Sequence, residues 1–66
     1  GTVLSHVLWA AINHDPNVDY APIVEALIRA GSIVEPGTLD WWRRQTPLFP
    51  SSKPHIEALL QARSDP

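Results

Sequence analysis

The chain has no cysteine, which excludes disulfide staples and thiolate metal sites as sources of stability. The lack fits a reducing compartment, and a cytoplasmic location is the expectation. There is no basic excess: five Lys and Arg stand against seven Asp and Glu, a formal charge of -2. That balance gives no electrostatic case for a nucleic-acid or anionic-membrane partner. Nothing approaches 18 consecutive apolar residues, and no charged-then-apolar leader precedes a cleavage site, so a soluble chain is expected. No glycine-rich phosphate loop and no nucleophile elbow is present, and no cofactor is implied. The first residues are Gly1-Thr2, which fits a fragment or a processed product.

Sixty-six residues allow one domain at most. At this length folding buries only about 60 % of the surface that the unfolded chain exposes. The core is expected to be thin, with support drawn from more chain or from a partner.

What the chain does have is internal similarity. PIVEALIRAGS at residues 22 to 32 returns as PHIEALLQARS at 54 to 64, a constant offset of 32 (22 + 32 = 54). Pro22/Pro54, Glu25/Glu57, Ala26/Ala58, Leu27/Leu59, Ala30/Ala62 and Ser32/Ser64 are identities, and Trp9 pairs with Trp41 at the same offset. A period between 20 and 50 residues is the mark of a repeat architecture. The chain reads as two units, about 5–36 and 37–66; a coincidental likeness between two amphipathic helices is the alternative.

Each unit reads as helix, loop, helix. Ile23, Val24, Leu27 and Ile28, like Ile56, Leu59 and Leu60, recur at the spacing of an amphipathic helix. Asp19 and Ser51 are the expected N-caps, Pro22 and Pro54 suit a first turn, and Gly31 is a natural left-handed stop. The first half of each unit, VLSHVLWAAI and TLDWWRRQ, also reads as helix. In the former, Val3, Val7 and Ala10 share one face and Leu4, Leu8 and Ala11 another. Asp15-Pro16 and Thr46-Pro47 end these helices, and Pro36-Gly37 makes a tight turn between the units. Ser32 to Glu35 is the only stretch with even a weak case for a strand.

IVEALIRAGS resembles the outer-helix signature of the ankyrin repeat, IVxLLLxxGA, with Ile23, Val24, Leu27, Ile28, Gly31 and Ser32 on matching positions. SHVLWAA is similar to a divergent inner-helix TPLHxAA, matched best by Ala10 and Ala11, and GTLDWW resembles GxTPLDWA with one residue missing. The resemblance covers almost the whole chain. It departs from the family in the longer loops NHDPNVDYA and QTPLFPSSK and in a finger shortened to SIVEPG.

This resemblance implies an all-α fold of two stacked helix-turn-helix repeats, an α-solenoid fragment. It also implies a non-catalytic protein-interaction module, a scaffold or adaptor segment. Contacts in the family come from the finger and the inner-helix face, which correspond here to Ser32 to Gly37 and to exposed residues of the first helix of each unit. Trp42 and Arg43 stand where the first unit has Ala10 and Ala11. A ring and a charge would obstruct a further repeat, so the second unit is expected to be a C-terminal cap. No cap is visible before Val3, Leu4 and Val7, which leaves upstream repeats of the same chain, a homo-oligomer or a partner protein to cover that face. The alternative functional class is a small self-associating helical protein, or a regulatory segment of a larger enzyme.

His6, His14 and His55 with Asp15, Asp19 and Asp40 carry metal-ligating atoms, but no HxxxH or HExxH spacing, and they read as solvated side chains. Ser5, His6 and Asp40 contain the atoms of a triad without its sequence context, and no catalysis is expected. WWRRQ is the most suggestive cluster, because Trp and Arg are enriched where proteins bind one another. Trp41, by its pairing with Trp9, is assigned to the core, and Trp42 to the exposed cap. The candidate partner-binding residues are therefore Glu35, Trp42, Arg43 and Arg44, with His14 as a further candidate. Phe49 and Tyr20 are expected to fold back over the gaps between helices.

Overall fold

The computed structural model describes residues 3–64, without the Ser64 side chain. The expectations that touch Gly1 and Thr2 lie outside the described residues. Four helices follow one another: α1 (Val3–Asn13), α2 (Ala21–Arg29), α3 (Thr38–Arg43) and α4 (Ser52–Ser64), with no strand among the described residues.

Of the two apolar faces available to α1, the stripe Leu4, Leu8 and Ala11 is buried. Val3 is 65 % exposed. On α2, Ala21 and Val24 are buried, and Leu27 and Ile28, three and four residues after Val24, pack partly against the core, the spacing of a helix laid on a core. Ile56 and Leu60 do the same on α4. The main interfaces are α1 on α2, α2 on α4 and α3 on α4. The radius of gyration is 10.6 Å, against about 10.8 Å expected of a packed chain of this length.

The punctuation follows backbone chemistry. Gly31 has φ +98°. Its amide donates to the Ile28 carbonyl at 3.1 Å, and the Ser32 amide to Leu27 at 3.0 Å, so the last carbonyls of α2 are satisfied by a Schellman closure. Pro36 and Gly37 form a type II turn: the Thr38 amide donates to the Glu35 carbonyl at 3.1 Å, and Gly37 has φ 88° and ψ -12°. Pro22 sits in the first turn of α2, where its missing N–H costs little.

The expected N-cap of α2 is shifted by one residue, whereas Ser51 directly precedes α4. Tyr20 holds the cap position of α2, while the Asp19 carboxylate one residue earlier accepts from the Ala21 amide at 2.9 Å. Asp19 thus satisfies a free amide of the first turn from outside the helix. Before α4 the bonded hydroxyl is that of Ser52, which donates to the Phe49 carbonyl at 2.7 Å. The helix α3 ends at Arg43, ahead of the Thr46-Pro47 stop.

The two halves are tied across the middle. The Leu48 amide, in the loop between α3 and α4, donates to the Ala11 carbonyl near the end of α1 at 3.0 Å. Tyr20 packs against the core, and its hydroxyl lies 3.1 Å from His14 Nδ1. Phe49 is half-buried.

Candidate functional site: a two-tryptophan cleft

The sequence puts two adjacent tryptophans on a short helix, where successive side chains point about 100° apart, so only one of them can face the core. Leu39 and Trp42, three apart, share the inward face: Leu39 packs against the core and Trp42 is fully buried, 0 % exposed. Trp41 is 38 % exposed. This reverses the assignment drawn from the Trp9 pairing. Trp42 is removed from the set of surface contact residues, and it fills the core instead of obstructing the end of the stack.

What holds Trp42 is a lysine. Its indole Nε1–H donates to the Lys53 carbonyl at 3.2 Å, and the Lys53 ammonium lies 5.3 Å from the ring centroid. The same ammonium donates to the carbonyls of Trp42 and Gln45. A cation is favourable there, because the carbonyls at the end of a helix carry its negative pole, and the Trp42 carbonyl accepts from the ammonium as well as from the Gln45 amide at 2.9 Å. WWRRQ is therefore split by function, with one ring structural and the other presented to solvent.

Trp9 is 54 % exposed, because it lies one residue beyond the buried Leu8 and off the Leu4, Leu8, Ala11 stripe. Its ring stacks against His6, with centroids 6.4 Å apart and planes at 26°. Trp9 and Trp41, 32 residues apart (9 + 32 = 41), flank the same cleft of about 390 Å³ between α1 and α3. Ser5 and Leu8 line it from α1, and Glu35 to Thr38 from the turn. Neither tryptophan was singled out as a contact residue from sequence; the signal was their equivalence at the offset, read as core when both are surface.

Glu35 is exposed at the start of that turn, and the turn is a ridge between two depressions. The second, about 400 Å³, is lined by Val34, Leu39, Asp40, Arg43 and Arg63 together with the turn. Glu35 and Arg43 are thus brought to one surface. Arg43 is engaged there, with Nε 3.6 Å from Glu57 and Nη2 3.2 Å from Gln61. Arg44, just past the end of α3, is exposed and paired with Asp40 of that helix. His14 is exposed beyond the end of α1, against Tyr20, and lines neither depression.

Among the described residues, no group of three His, Asp or Glu side chains is placed to hold a metal ion. None of the described helices is long and apolar enough to cross a membrane. No protein-family model matches the chain, and no curated protein or solved structure matches it.

Proposed function

We propose that the chain is a non-catalytic protein-interaction module made of two ankyrin-like helix-turn-helix repeats, binding a protein partner across α1, the 35–38 turn and α3. The observation that carries this reading is the cleft between α1 and α3, with two indoles at equivalent positions of the two units exposed on its walls. Large aromatic surface left in water beside a preformed cleft is what a binding hot spot requires. The repeat reading is supported by burial. Val24 and Ile56 (24 + 32 = 56) are both fully buried, Leu27 and Leu59 both partly buried, and Ala26 and Ala58 both exposed. The second helices of the two units also pack on each other, as α2 on α4.

The test is covalent capture followed by reconstitution. A photo-reactive aromatic residue at position 41 identifies the crosslinked protein, and calorimetry with the purified pair then measures its affinity. The module reading expects a saturable complex weakened at least about tenfold by Trp9→Ala with Trp41→Ala, given the weight of buried aromatics in hot spots. A complex indifferent to both substitutions contradicts it.

A second reading, self-association, is favoured by Val3, Ile23 and Ile33, the last 74 % exposed. Sedimentation equilibrium decides it: a concentration-dependent dimer supports it, and a monomer throughout removes it.

A further inference from the structure

From the chemistry of the α1/α3 cleft, we infer that it receives an arginine side chain of the partner polypeptide. The inference rests on the protein-binding reading and gives that reading a chemical class. Two features of the cleft select a planar cation. The first is the pair of half-open indoles, Trp9 on α1 and Trp41 on α3, whose ring faces attract positive charge through the aromatic quadrupole. The second is charge: Glu35 is the only formally charged side chain lining this cleft among the described residues. No ion pair engages Glu35 among the described residues, whereas Arg29, Arg43 and Arg44 each have a carboxylate within reach.

The lining of this cleft disfavours the opposite sign, the nearby Arg43 and Arg63 lining the depression on the other side of the turn. A carboxylate or phosphate entering here meets Glu35 and finds no cation among the described lining residues, while the apolar share of the lining, Leu8, Pro36 and the two indoles, suits the aliphatic stem of a long side chain. A volume of about 390 Å³ lies within the range of small-ligand sites, about 300 to 1,000 Å³. Arginine is favoured over lysine because a guanidinium can stack on an indole and still pair in the plane with a carboxylate, whereas an ammonium is more strongly hydrated. Pro36 and Gly37 fix the turn that carries Glu35, so the carboxylate is presented by a defined backbone.

The three tryptophans provide the assay. Their indole N–H resonances report the cleft at Trp9 and Trp41, and Trp42, buried and bonded to Lys53, serves as an internal reference. The labelled chain is titrated with the peptide acetyl-Gly-Arg-Gly-amide and, separately, with its neutral isostere carrying citrulline. The expected result is a saturable shift of the Trp9 and Trp41 signals, an affinity at least about fivefold higher for the arginine peptide, and no shift at Trp42. Glu35→Gln, at an exposed position and with its fold checked by circular dichroism, is expected to bring the arginine peptide down to the citrulline level. Equal shifts from the two peptides, insensitivity to Glu35→Gln, or no saturable shift overturns the inference. Any of these outcomes leaves the module reading standing if the reconstituted partner complex still depends on Trp9 and Trp41, so the two failures are distinct.

Discussion

Lys53 ties the start of α4 to the end of α3, and replacing it with methionine isolates its charge. The methionine keeps an unbranched apolar stem but removes the ammonium that donates to the Trp42 and Gln45 carbonyls and covers the Trp42 ring. A hydrogen bond to a charged group contributes about 1.5 to 3 kcal/mol when buried. Lys53 is half-buried, so water takes over part of both bonds. A combined loss of about 2 kcal/mol is therefore expected, with the cation–π contribution included. In a domain of this size that lowers Tm by roughly 8 to 16 °C. Urea unfolding followed by circular dichroism and by tryptophan fluorescence measures it. Arg63→Met, at an exposed position, is the matched control, expected to stay within about 0.5 kcal/mol. If Lys53→Met is no more harmful than that control, the clamp contributes nothing and the argument for it is wrong.

Gly31→Ala and Gly37→Ala are each expected to cost about 1 to 2 kcal/mol. A Cβ at either position meets nothing within 4 Å, so the loss measures the left-handed backbone alone. The D-alanine version of each, made by chemical synthesis, should restore stability; a loss of equal size would show that the turn geometry is misjudged. Trp42→Ala is expected to cost about 3 to 5 kcal/mol, enough to unfold much of the chain at 37 °C, while Trp41→Ala costs less than half as much; equal losses would refute the split between the two rings. Arg43→Ala, which breaks a half-exposed pair with Glu57, should cost less than about 1 kcal/mol and less still at high salt, as read by thermal unfolding at two ionic strengths.

The helices and their stops were legible because they rest on local rules. Pro36-Gly37 and Gly31 each fill the backbone conformation that only such residues adopt cheaply, and α2 and α4 have one apolar face apiece. The orientation of α1 and α3 was not legible. Helix α1 offers two apolar stripes about 100° apart, Val3-Val7-Ala10 and Leu4-Leu8-Ala11, and hydrophobicity alone cannot choose between them. Packing against α2 buried the second. In α3 the three-residue spacing of Leu39 and Trp42 was the correct cue, but it spans one turn and was outweighed by the pairing of Trp41 with Trp9. The Lys53 clamp was hidden altogether, since it joins a side chain at the start of α4 to carbonyls eight and eleven positions back (53 - 45 = 8; 53 - 42 = 11). Glu35 was named from sequence for its place in the finger; that it lines one cleft with two indoles is set by the tertiary fold.

The molecule presents Trp9 and Trp41 to solvent and keeps Trp42 in its core. The most direct measurement is the solvent paramagnetic relaxation of the three indole N–H signals, recorded with a soluble gadolinium chelate and assigned by single Trp→Phe exchanges. The account predicts strong broadening at Trp9 and Trp41 and a Trp42 signal that stays sharp. A sharp Trp41 with a broadened Trp42 would put the other ring in the core, and both the clamp and the two-tryptophan cleft would fall with it.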